Sequence, residues 1–104
     1  MSKNANHDIK QLRAIGHKLK PVVTIAGKGL NENVLSEVDR ALNDHELIKI
    51  KLAVGGREAR QAISLELSDL TGAQIVQSVG SVILVLRRSA KPDPKLSNLI
   101  RPHG

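Results

Sequence analysis

Leu47-Ile48-Lys49-Ile50-Lys51-Leu52-Ala53-Val54 decides the fold. Ile48, Ile50, Leu52 and Val54 fall on one side of an extended chain, and Lys49 and Lys51 on the other with Leu47 and Ala53. That period of two is a half-buried strand. Gly55-Gly56 turns the chain, and residues 57–70 then read as a helix with Ala59, Ala62, Ile63, Leu67 and Leu70 inward. Gly72 stands where a left-handed helix cap is usual. Two short strands follow, residues 75–79 and 82–86, separated by Gly80-Ser81, a Gly-first pair suited to a tight hairpin. The second of these strands is apolar at five successive positions, so both its faces should be covered. Upstream, Leu30, Val34, Val38, Ala41 and Leu42 stripe a helix over residues 31–44, with Asn31 placed to cap it. Val22-Val23-Thr24-Ile25 is a β-branched strand, and Ile9, Leu12, Ile15 or Gly16, and Leu19 set a first helix over residues 8–18 with Asp8 as its cap. The order is α-β-α-β-α-β-β: an α/β fold with a four-stranded mixed sheet packed with helices. Its two βαβ crossovers should give parallel pairs and the hairpin an antiparallel one.

A chain of 104 residues is one domain. It holds no Cys, which removes disulfides, thiol catalysis and Cys-ligated zinc. It also holds no Phe, Tyr or Trp, which excludes the nucleic-acid modules that stack bases on aromatic rings. The net charge of +6 is segregated: +5 over residues 1–28, −3 over 29–86 and +4 over 87–104. Basic ends around an acidic middle point to a polyanion partner. The first eight residues carry no apolar signal segment, and the longest aliphatic run, Val82 to Leu86, is too short to cross a bilayer. The expectation is a cytoplasmic protein with no membrane partner. Residues 1–7 read as a flexible start, 8–88 as the domain, and 89–104 as a mobile basic tail; the alternative is that Leu96, Leu99 and Ile100 dock.

Ala26-Gly27-Lys28-Gly29 lies between a strand and a helix. Glycines there let backbone approach a ligand, and the helix start behind them suits a phosphate. The loop is neither a Walker A loop nor a dinucleotide fingerprint. On the first helix Lys10, Arg13 and His17 share a face, and Lys18 and Lys20 lead into the loop's strand. Lys49 and Lys51 either protect a strand face or extend this basic surface. Arg57 and Arg60 open the third helix, where cations are unfavourable, which hints at an anion contact. The four histidines show no metal spacing, and no nucleophile–base arrangement is visible, so neither a metal nor a catalytic site is expected.

Leu19-Lys20-Pro21-Val22-Val23, the glycine loop with Leu30, the run from Ala41-Leu42-Asn43-Asp44-His45-Glu46 into Leu47–Lys51, and Thr71-Gly72-Ala73 leading to Gly80 and Val82–Arg88 closely resemble the CRM (CRS1–YhbY) domain family. The resemblance covers about residues 8–88. It implies an RNA-binding domain with a fold similar to the C-terminal domain of translation initiation factor three. Stand-alone bacterial members associate with precursors of the large ribosomal subunit, and this short chain looks like that kind. The family's G-x-x-G loop resembles the backbone clamp of KH domains. Here its first glycine falls on Ala26 and its second on Gly29, so either Gly27 substitutes or Ala26 adopts a permitted conformation.

The sequence therefore reads as a non-enzymatic, cofactor-free RNA-binding protein of ribosome assembly, acting as a monomer on ribosomal RNA or a pre-ribosomal particle, with no small-molecule substrate. The expected RNA-binding residues are Lys10, Arg13, Lys18, Lys20, Ala26, Gly27, Lys28, Gly29, Lys49 and Arg57. The rival readings are a DNA-binding chromatin-type protein and a protein-interaction module using the acidic helices.

Overall fold

A computed structural model describes residues 7–27 and 29–100. The elements are α1 (Ile9–His17), β1 (Pro21–Ile25), α2 (Glu32–His45), β2 (Leu47–Leu52), α3 (Arg57–Thr71), β3 (Gln74–Val79) and β4 (Val82–Leu86). They form the expected α/β fold, three helices on a four-stranded mixed sheet.

The helix boundaries follow from their caps. The Asp8 carboxylate accepts the Gln11 N–H at 2.8 Å, while the Gln11 side-chain oxygen accepts the Asp8 N–H at 2.9 Å, a reciprocal capping box. Asn31 accepts the Val34 N–H at 2.9 Å to start α2. Gly72 closes α3 in the left-handed conformation.

The strand order is β1-β2-β4-β3. β1 and β2 are parallel, and β4 is antiparallel to both β2 and β3. The second crossover thus does not produce the expected neighbouring parallel pair, because β4 takes the place between β2 and β3. Burial explains the choice. Val82-Ile83-Leu84-Val85-Leu86 needs cover on both faces, which only a central strand receives, and four of its five residues are buried. Gln74–Val79 carries polar residues and takes an edge.

The two sheet faces differ. On one, α2 and α3 bring Val38, Leu42 and Leu67 onto Val23, Ile25, Ile48, Ile50, Leu52, Ile83 and Val85. On the other, α1 sets Leu12, with half-buried Ile15 and Leu19, against Leu47, Val76, Leu84 and Leu86. Gly16 makes this approach possible: a Cβ there would lie 2.5 Å from Leu84 Cδ2. α3 is rotated from its expected setting. Leu70 is exposed, and Ser64, Leu67 and Thr71 point inward. The buried hydroxyls are satisfied by their own helix, Ser64 donating to the Arg60 carbonyl at 2.8 Å and Thr71 to the Leu67 carbonyl at 2.7 Å.

The chain after β4 corrects the expectation of a free basic tail from residue 89. Residues 96–99 dock at the start of β2. Ser97 is fully buried and its hydroxyl donates to one Glu46 carboxylate oxygen at 2.6 Å; the Ser89 N–H donates to the other at 2.6 Å. Asn98 donates its N–H to the His45 carbonyl and its side-chain amide to the Leu47 carbonyl. Leu99 joins the α1 cluster. Glu46 is held at φ 63°, ψ −48°, a strained setting for a residue with a Cβ. Residues 1–6 and 101–104, parts of the expected flexible ends, lie outside the described residues.

Candidate nucleic-acid interface

Lys10, Arg13 and His17 are exposed on α1, turned away from the buried Leu12 and Gly16. Because α1 ends over the sheet, His17 borders a shallow hollow of about 330 Å³ with Pro21, Lys49, Gln77, Val79, Val82 and Leu84. Lys49 is half-buried in this hollow. Lys18 and Lys20 are exposed in the link that carries α1 into β1. Strand parity puts Lys51 on the same face as Lys49, beside Thr24 in the β1–β2 register, and leaves it exposed. Cations therefore run from α1 across the open part of the sheet toward the loop after β1. None of Lys10, Arg13, Lys18, Lys20, Lys49 or Lys51 forms an ion pair among the described residues. His17 and Lys51 are additions to the expected set. The alternation that selects Lys49 also selects Lys51, and helical spacing already puts His17 on the face of Lys10 and Arg13; the structure adds that this face meets Lys49 at the hollow.

The loop closes as a four-residue turn, with the Gly29 N–H donating to the Ala26 carbonyl at 2.8 Å. Ala26 and Gly27 are exposed. The positive φ falls on Gly29, at 74°, and neither Ala26 nor Gly27 adopts one. Alanine at the first position is thus unstrained, and the glycine that the turn requires is Gly29. Lys28 lies outside the described residues. Behind the loop, Glu32 stands in the first turn of α2 and offsets part of the positive dipole end.

Arg57 is not brought to this surface. It is exposed at the start of α3, on the side of the sheet that carries α2 and α3, whereas Lys49 faces the side that carries α1. Among the described residues no three His, Asp or Glu side chains gather as a metal site, and no helix is long and apolar enough to cross a membrane.

The family model of the CRS1/YhbY (CRM) domain matches residues 5–87. A Pseudomonas aeruginosa protein named "Probable RNA-binding protein PA4753" is 51% identical over 95 residues, covering 91% of each chain. A Haemophilus influenzae protein named "RNA-binding protein" is 44% identical over 78 residues, 75% of this chain and 79% of that one. The solution structure of the Staphylococcus aureus protein SAV1595 matches with a TM-score of 0.71 at 30% identity, covering 80% of this chain and 86% of the other. With the family model spanning the whole sheet and all three helices, the chain belongs to the CRS1/YhbY (CRM) domain family.

Proposed function

We propose that this protein binds RNA through its phosphate backbone, on precursors of the large ribosomal subunit, and takes part in their assembly. The observation that carries the reading is the run of cations without carboxylate partners from α1 through Lys49 and Lys51 to the glycine turn. Phosphates are met by Lys10, Arg13, Lys18, Lys20 and Lys49, and the turn at 26–29 lets backbone N–H groups reach one of them. With no Phe, Tyr or Trp, the chain lacks the rings on which splayed bases are usually stacked, so folded or duplex RNA is the favoured form. The names of the P. aeruginosa and H. influenzae relatives support RNA as the ligand. The ribosomal target rests on the resemblance to stand-alone bacterial members of the family.

The test is sedimentation of the tagged protein from a lysate on sucrose gradients. Co-migration with large-subunit precursors is expected, and a Lys20→Glu/Lys49→Glu variant should move to the top of the gradient. Wild-type protein remaining at the top at low salt would sink the ribosomal target. Stronger competition by duplex DNA than by ribosomal RNA would turn the reading to DNA.

A further inference from the structure

A second surface lies on the other side of the sheet, away from the cations of α1. Arg57, Arg60, Gln61, Ser64 and Leu65 recur at helical spacing along one face of α3. They form one wall of a groove of about 750 Å³ whose other wall is Ile75 and Ser78 of β3 and the turn at Gly80. β3 is an edge strand, paired only with β4, so alternate N–H and C=O groups along its free side lack a ladder partner. Leu65 is 66% exposed. Arg57 and Arg60 form no ion pair or side-chain hydrogen bond among the described residues.

We infer that this groove receives an extended acidic segment of a partner protein, which adds to β3 as a fifth strand. Three features select that occupant. A strand edge presents donors and acceptors in turn at the spacing of a polypeptide backbone, which an added strand matches group for group. The phosphate groups of a nucleic acid supply acceptors alone, so they match only the N–H groups of that edge. The two arginines at the groove mouth call for carboxylates on the incoming strand, while Leu65 and Ile75 call for apolar side chains between them. Gln74–Val79 contains no Asp or Glu, so pairing of β3 with β3 of a second copy offers the arginines no carboxylate on the added strand. The inference goes beyond RNA binding and is tested without RNA.

The experiment titrates the full-length, ¹⁵N-labelled protein with a blocked eight-residue peptide alternating Asp or Glu with Val. The control peptide carries Lys in place of every acid. Amide shifts confined to residues 57–65 and 74–79 are expected with the acidic peptide and none with the control. Arg57→Glu/Arg60→Glu should weaken binding by about tenfold or more. Leu65→Glu, at an exposed position that folding tolerates, should weaken it similarly and carries the test if the double variant fails to fold. Absence of β3 shifts at millimolar peptide, equal binding of the lysine peptide, or affinity unchanged in both variants would overturn the inference. So would a single-stranded RNA oligonucleotide that moves these amides when the acidic peptide does not, which would assign the groove to nucleic acid.

Discussion

At Gly16 a single hydrogen atom sets how closely α1 lies on the sheet. Gly16→Ala should push against the buried Leu84 side chain at an overpacking cost of about 1–3 kcal/mol, offset by about 1 kcal/mol of helix propensity, for a net loss of up to about 2 kcal/mol read as a fall in the urea midpoint with the m-value unchanged. Glu46 presents the opposite case, a residue kept in an unfavourable backbone conformation by what its side chain holds. Its carboxylate is buried and accepts from both Ser89 and Ser97. Ser97→Ala removes one charge-assisted bond and should release the 96–99 segment at a cost of about 1.5–3 kcal/mol. Faster amide exchange at Asn98 and Ser89 would show this, and unchanged exchange would deny Glu46 its anchoring role. Neither residue was legible in advance. In the sequence Glu46 is one more acid at a helix end, and the partner that buries it lies 51 residues away. Gly16 falls at the spacing of the inward positions of the first helix, but nothing in the sequence names Leu84 as the side chain it lets approach.

Between elements the main tie is Arg87. Its guanidinium donates to the Asp39 carboxylate at 2.8 Å, the Thr71 carbonyl at 2.8 Å, the Asp39 carbonyl at 3.1 Å and the Asn43 side chain at 3.1 Å. It thereby joins the end of β4 to α2 and to the last turn of α3. Arg87→Lys keeps the charge but loses the planar fork, and should reduce stability by about 1–3 kcal/mol, measured by thermal unfolding. A melting temperature equal to wild type would show that the network contributes nothing net. At this scale the sequence was most readable. Caps at Asp8, Asn31 and Gly72 are local chemistry, and each stands where its residue type requires. Lateral order is different. Alternation identifies a strand without naming its neighbour, so the insertion of β4 between β2 and β3 was visible only indirectly, in its unbroken apolar run. The outward setting of Leu70 has the same origin, because helical spacing is satisfied equally by an inward stripe through Ser64 and Thr71 once their hydroxyls bond to the preceding turn. The segment after residue 95 shows no periodicity, and the docking kept as an alternative for Leu96, Leu99 and Ile100 is made by Leu99 with the buried Ser97 and Asn98, which are held chiefly by hydrogen bonds, while Leu96 and Ile100 stay exposed.

For the whole molecule, the sheet separates two surfaces of different character. The proposed RNA face should show a steep salt response: if about five phosphates are engaged, the log–log slope of affinity for single-stranded RNA is roughly −3.5. A flat response would rule out backbone recognition through the α1–Lys49 cations. Of that site, the charge segregation and the glycine turn could be read from sequence, whereas the separation of Arg57 from Lys49 required the two faces to be distinguished. The strand order carries a consequence for assembly in time. β1 and β2 are contributed by the first half of the chain, and β3 and β4 by the second, yet the seam between the halves is the ladder of β2 with β4 at the centre of the sheet. Until residues 82–86 arrive, β2 exposes a bare margin and β3 has no neighbour at all. The nascent chain therefore cannot complete a stable half. The sheet is completed only when the β3–β4 hairpin lays β4 along that margin, and any cleavage in the 53–56 turn leaves two fragments that are each other's missing edge.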